Sequence, residues 1–224
     1  MLNSIKFLRH LGYSIKDIKS HLHSKTEDRF LDSLKSYKKA TESEINQLNK
    51  IKKFLNERIT EIETVLKDQP LNKVIIREFP VRKIVILKTR IENIFDLELN
   101  LRELENRSKL TPSIMIGRVG LTVGKDNLLK KKFSEYNSIF ILNPINSPAE
   151  KKYRGVLSSG SYACIYFNAG NHDDSPAFYK KIFNFLKTNQ LKINGDAIER
   201  VIIDDFITHD SKKHITEIQI PISS

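Results

Sequence analysis

Cysteine is all but missing from this chain of 224 residues: Cys164 is the single example. One thiol excludes an intramolecular disulfide, and no Cys/His spacing suits zinc, so no metal or other cofactor is expected. Long apolar runs are missing too. None approaches the roughly 20 residues that cross a bilayer, so no membrane association is expected. The amphipathic start, Met1–Lys6, carries no cleavage signature, and no signal peptide is expected. A cytoplasmic protein is the simplest fit. Catalytic constellations are also lacking: no Ser/His/Asp, Cys/His or metal set stands out, which argues against an enzyme. Finally, neither glycine nor proline occurs from Asp28 to Leu66, so nothing local interrupts a helix there.

What is present is ordinary for a soluble protein, 39% hydrophobic and 29% charged. The length suits one good core with an extended element, or two small domains. A formal charge of +11 and a pI near 9.6 invite a nucleic-acid partner. Yet Lys and Arg are spread along the chain, usually beside Asp or Glu. The densest run, Lys130-Lys131-Lys132, reads as a solvated loop. The charge permits DNA without identifying it.

The uninterrupted stretch 28–66 reads as one long helix. Leu34, Thr41, Leu48, Leu55 and Ile62 recur at heptad spacing, and Ile45, Lys52, Ile59 and Leu66 form a second, offset seam. Polar residues fill the flanks, the pattern that buries one helix against another. A homodimer through 28–66 is expected. Thr41 and Lys52 weaken the seam, so the C-terminal domains are expected to share the interface.

Residues 1–23 precede this stalk. Leu2, Ile5, Phe7, Leu8 and Leu11 have helical spacing, Gly12 suits a C′ position, and Ser14 with Asp17 suits a capping box for a second helix. Segment 24–69 holds the stalk, closed by Asp68-Gln69-Pro70. Beyond it, 70–224 changes to strand character. Val74–Ile76, Val81–Leu87, Ser113–Val123, Asn137–Leu142, Ser161–Phe167, Ala197–Ile203 and His214–Ile222 read as strands. Ile94–Arg107 and Ala177–Thr188 read as helices, and Lys125–Phe133 as a polar connection. The order strand-helix-strand-strand occurs twice. The fold class is therefore α+β: a helical pair, a coiled-coil helix, then a duplicated unit with an antiparallel sheet, both helices on one face and a cleft between the halves.

The run Ile5–Lys19 resembles the segment just before the dimerisation helix of MerR-family transcription regulators. Ser159–Ile165 resembles the central strand of their gyrase-inhibitor-like effector-binding domain, and Gly195–Glu199 the later strand that carries its ligand-facing glutamate. The order of parts matches as well. The resemblance implies a receptor for lipophilic cations of the multidrug-responsive type. In that family a DNA-reading winged helix-turn-helix precedes the segment seen here at Met1, so this chain is expected to bind DNA weakly or not at all. A regulator shortened by design and a gyrase-inhibitor-like hydrolase using Glu199 stand as alternatives.

Glu199 lies mid-strand and shares a face with Ala197, Val201 and Ile203 by alternation. A carboxylate there is costly to bury without a cation. The resemblance makes the ligand that cation; the residues alone favour a salt bridge or a solvent-facing side chain. Tyr136, Phe140, Tyr162, Tyr166 and Phe167 are the aromatic candidates for covering a flat cation, with core packing as the alternative for each. Tyr162 and Tyr166 share one face of their strand, and Phe167 lies on the other. His214 stands roughly where multidrug-binding relatives have a further aromatic. The positive net field disfavours cations at long range, so binding would rest on burial and one carboxylate, with little response to salt.

Overall fold

The computed structural model describes residues 5–6, 8–9, 12–23, 26–67, 70–108, 118–142 and 149–223. They fall into two compact units, 1–57 and 58–224. In the first, a helical turn ends at Gly12, whose φ of 90° only glycine adopts cheaply. The bonds Tyr13 N–H to Leu8 O and Gly12 N–H to Arg9 O, both 3.0 Å, satisfy the last carbonyls in a Schellman arrangement. Helix α1, Ile15–His23, then opens on the expected capping box: Asp17 N–H donates to Ser14 Oγ at 3.1 Å, and Ser14 N–H to Asp17 Oδ2 at 3.2 Å. Leu8, Tyr13 and Ile18 form a small core with Phe30 and Tyr37. His10 lies outside the described residues, as do the side chains of His21 and His23.

Helix α2, Glu27–Lys67, is the stalk at its expected length. Its last turns belong to the second unit, which continues with β1, Val74–Phe79; β2, Arg82–Ile91; helix α3, Ile94–Ser108; and β3, Val119–Val123. Then come helix α4, Lys125–Leu129; β4, Tyr136–Leu142; β5, Arg154–Leu157; and β6, Gly160–Phe167. Helix α5, Ser175–Thr188, and strands β7, Lys192–Ile193, β8, Ala197–Ile203, and β9, Ile215–Ser223, complete it. Residues 113–117 of the expected third strand lie outside the described residues. Where a polar connection was expected, α4 buries Leu128 completely. One buried leucine among lysines has no period to betray it. Strands β5 and β7, of four and two residues, are too short to show a strand period in the sequence.

The strands run β1-β6-β9-β8-β3-β4-β2-β5, with β7 beside β9, and every named pair is antiparallel. The duplication is plain in this order. The first repeat pairs as β2-β4-β3 and the second as β6-β9-β8, so β3 meets β8 at the centre. One face carries Val85, Leu121, Ile139, Ile141, Ile165, Phe167 and Ile218 against the helices. On the other face Ile84, Phe140, Tyr162, Cys164 and Ile198 form a separate core.

That second face is an inside surface. In a flat sheet of this order β1 and β2 would lie roughly 29 Å apart, at about 4.8 Å per strand. Only Pro80 and Val81 join them, a span of about 11 Å at most. Ser158 and Ser159 likewise join β5 to β6, so the sheet must curl until its ends approach. Arg82 of β2 accordingly reaches Gln219 of β9, with Nη1 donating to Oε1 at 2.8 Å. A cleft of about 410 Å³ opens on this inner face, bordered by Ile84 and Thr122 of the first repeat and Tyr162 and Ile198 of the second.

Within the second unit, the last turns of α2 pack on this inner side. Val65 lies in a cluster with Tyr166, Ile202, Ile203 and Ile215. Arg58 donates to Glu61 Oε2 at 2.5 Å and to the Ile202 carbonyl. Arg200 of β8 donates to Glu61 Oε1 at 2.7 Å and lies 3.6 Å from Glu217. Burial opposes ionisation of Glu61, but the charges of Arg200 and Arg58 outweigh it and hold this carboxyl below its usual range. A folded-state value below the unfolded one stabilises the fold above the unfolded pKa, and the benefit disappears as pH falls through the folded value. Below about pH 4 the protein should therefore lose stability. Denaturant titrations across pH should show that loss in the wild type, and Glu61→Gln should lose about 3 kcal/mol at pH 7 because two arginines are left without their shared carboxylate.

Candidate functional site

Strand β8 alternates cleanly from Ala197 to Val201. Glu199 pairs with Leu121 of β3 and Ile218 of β9, both in the helix-side core, so it faces the helices from the centre of the sheet. Its neighbour Arg200 faces the inner side. The Glu199 carboxylate is fully buried, at 0% exposure.

Three elements bring it donors. On β4 a bulge intervenes: Thr122 pairs with Ser138 but Val123 with Tyr136, leaving Asn137 extra. The bulge turns Tyr136 to the helix side, although plain alternation gives it the face of Ser138 and Phe140. Tyr136 OH donates to Glu199 Oε1 at 3.2 Å. Helix α5 supplies Ser175 and Tyr179, one turn apart and so on one face. Ser175 Oγ donates to Oε1, and Tyr179 OH to Oε2 at 3.0 Å. Because Ser175 begins α5, the carboxylate sits at the helix N-terminus, where the helix dipole favours an anion. The loop before α5 supplies His172, whose Nδ1 lies 2.5 Å from Oε1. Burial, and then the charge of Glu199, push both the Tyr136 and Tyr179 hydroxyls to higher pKa, so both stay protonated donors.

The other candidates lie elsewhere. Phe140, Tyr162 and Tyr166 face the inner side, away from Glu199. Phe140 packs in the inner core, close over Gly120. Tyr162 borders the cleft and donates to Ser158 O at 2.7 Å. Tyr166 donates to Glu217 and accepts from Arg77 Nη1 at 2.7 Å. Phe167 does lie opposite Tyr162 and Tyr166, but it stacks on Phe178 with ring centroids 3.8 Å apart, inside the core. His214 Nε2 lies 2.8 Å from Thr208 O, and its ring fills the space beside Gly170. Only Glu199 and Tyr136, of the seven, come together. His172, Ser175 and Tyr179 join them, and none of the three is among the candidates from the sequence. Ser175 and Tyr179 share the buried stripe of Ile182 and Leu186, and two hydroxyls on an apolar stripe were a usable signal. His172, in a polar loop, had none. Among the described residues no group of three or more His, Cys, Asp or Glu could hold a metal ion, and no helix is long and apolar enough to cross a membrane.

Residues 72–223 match the family model described as a GyrI-like small molecule binding domain. The chain belongs to the GyrI-like family. This GyrI-like chain is 23% identical, over 212 residues, to the multidrug-efflux transporter 2 regulator of Bacillus subtilis (strain 168), covering 91% of itself and 72% of that protein. Its fold is also similar to that of EcmrR in a complex with DNA, with a TM-score of 0.53 at 15% identity, covering 100% of this chain and 82% of EcmrR. The EcmrR C-terminal domain alone gives 0.51 at 16% identity, covering 68% of this chain and 98% of that domain.

In this GyrI-like domain the hydroxyls around Glu199 bear directly on stability. Tyr179→Phe should cost about 1–2 kcal/mol, since a buried carboxylate oxygen loses its donor. Urea unfolding compared with the wild type measures it.

Proposed function

We propose that this chain is a receptor for lipophilic cations, acting as the sensing part of a cytoplasmic regulator and not as an enzyme. Glu199 takes the positive charge, and Tyr136 and Tyr179 border the ligand. The observation that carries this reading is a carboxylate with 0% exposure, ringed by aromatic hydroxyls at the centre of a small-molecule-binding domain. A buried anion held by three hydroxyls and one imidazole offers a permanent cation the place of a replaceable partner. The family of the chain, and its likeness to a regulator of multidrug efflux, support the same reading.

Dimerisation through α2 is part of the proposal. Ile45, Leu48, Leu55, Ile59 and Leu66 are each at least half exposed, an apolar seam of the kind that pairs with a second copy. Replacing Leu48 and Leu55 together by lysine should convert the dimer to a monomer in sedimentation velocity.

For the ligand, tetraphenylphosphonium, a neutral dye and an anionic dye should be titrated in parallel. Cation binding is expected, and Glu199→Gln should weaken it by about 1–3 kcal/mol, the scale of a buried charge that has lost its partner. Equal affinity of the variant would remove Glu199 from the site. A response to the anion alone would overturn the reading.

A further inference from the structure

We propose that His172 is an exchangeable counter-cation of Glu199, which a cationic ligand must displace. This makes His172 the gate of the site and couples ligand binding to release of a proton. The inference rests on the proposed reading of Glu199 as the ligand's carboxylate.

The geometry distinguishes His172 from the other three donors. Tyr136, Ser175 and Tyr179 are anchored on a strand and a helix and are buried. His172 belongs to the loop between β6 and α5, and 22% of its side chain is exposed. The start of that loop is pinned: Asn168 Nδ2 donates to Lys212 O at 2.8 Å, and Thr216 Oγ1 donates to Ala169 O at 2.6 Å. His214 closes the space at Gly170, where an added Cβ would lie 2.2 Å from its Nδ1. The loop backbone is therefore held on both sides of His172, since Ser175 N–H also donates to its carbonyl at 3.3 Å, and displacement of the imidazole asks only its side chain to turn.

The charges point the same way. His172 Nδ1 lies 2.5 Å from a carboxylate that has no exposure to water. A charged imidazole, as the proposal has it, answers a carboxylate shut off from water better than a neutral donor would. The groups facing this pair are Tyr136 from β4, with its ring 5.6 Å from that of His172, and Ser175 and Tyr179 from α5. The charge of Asp173 also acts on Tyr136. Arg200, next along β8, is committed to Glu61 and Glu217 on the opposite face. Among the described residues, His172 is the basic side chain at ion-pair distance from Glu199.

A permanent cation that takes this place leaves His172 without its carboxylate. The imidazolium turns out to solvent and gives its proton to water or buffer. No bond other than N–H is broken, and the charge beside Glu199 is unchanged. Imidazoles change charge between pH 5 and 8, so affinity should rise across that range.

The test is calorimetric titration of tetraphenylphosphonium at pH 5.5, 7 and 8, in two buffers of different ionisation enthalpy, on wild type, His172→Gln, His172→Asn and Glu199→Gln. In the wild type, affinity is expected to rise about tenfold from pH 5.5 to 8, with proton release at pH 7. Both His172 variants should bind at pH 5.5 about as tightly as the wild type does at pH 8, without proton release. Glu199→Gln should bind weakly with a flat profile. A wild-type pH profile retained in both His172 variants, or no proton release from the wild type, overturns the gate while leaving the receptor reading intact. Failure of every chain to bind the cation at any pH overturns the receptor reading, and the gate with it.

Discussion

Two links of two residues each, Pro80-Val81 and Ser158-Ser159, constrain everything else in the second unit. They join strands at opposite ends of the strand order, so the sheet cannot lie flat. Curling turns one face into an interior, and side chains there become buried whether they are apolar or charged. Arg82, Arg200, Glu217 and Gln219 are all buried on that side. Each polar group must then find partners inside the protein. The Arg58–Glu61–Arg200 chain is how the end of the stalk helix meets that demand.

The alternation of β8 divides two opposite charges between two environments. Arg200 points inward and is held by carboxylates, with a strength suited to structure. Glu199 points to the helices and is held by three hydroxyls and one imidazole. Hydroxyls stabilise an anion less than a full charge does, which sets this carboxylate apart from Glu61 and Glu217, bound by arginine on the inner side. Adjacent residues on one strand thus carry an attachment on the inner side and a hydroxyl-bound carboxylate on the helix side.

Helix α2 serves two faces at once. Its late turns present Arg58, Glu61 and Val65 to the sheet, and this is the part that the heptad pattern hid: Ile62, assigned by period to the seam, is half-buried in the structure. The exposed seam of Ile45, Leu48, Leu55, Ile59 and Leu66 runs along the same helix. A heptad count reads the stripe that a partner helix needs, and it passes over a shorter face made of one arginine, one glutamate and one valine.

The amino-acid sequence by itself determined the parts whose physics is local. The caps at Gly12 and Ser14, the uninterrupted α2, the strand alternation of β6 and β8, and the repeated order of elements all depend on residues within a turn or two of one another. Glu199 stood out because a carboxylate amid strand hydrophobics is anomalous wherever the strand ends up. Tertiary structure alone decided which side chains surround it. Tyr136 reaches Glu199 only through a bulge, and a bulge is a mismatch between two strands that neither reveals alone. Phe140, Tyr162 and Tyr166 were separated from Glu199 by sheet face, which follows from strand order and register. His172, Ser175 and Tyr179 meet Glu199 across twenty or more residues of chain, where packing and not spacing sets the distance. The fold was therefore legible from local pattern, while the ring of donors around the carboxylate was a product of long-range register.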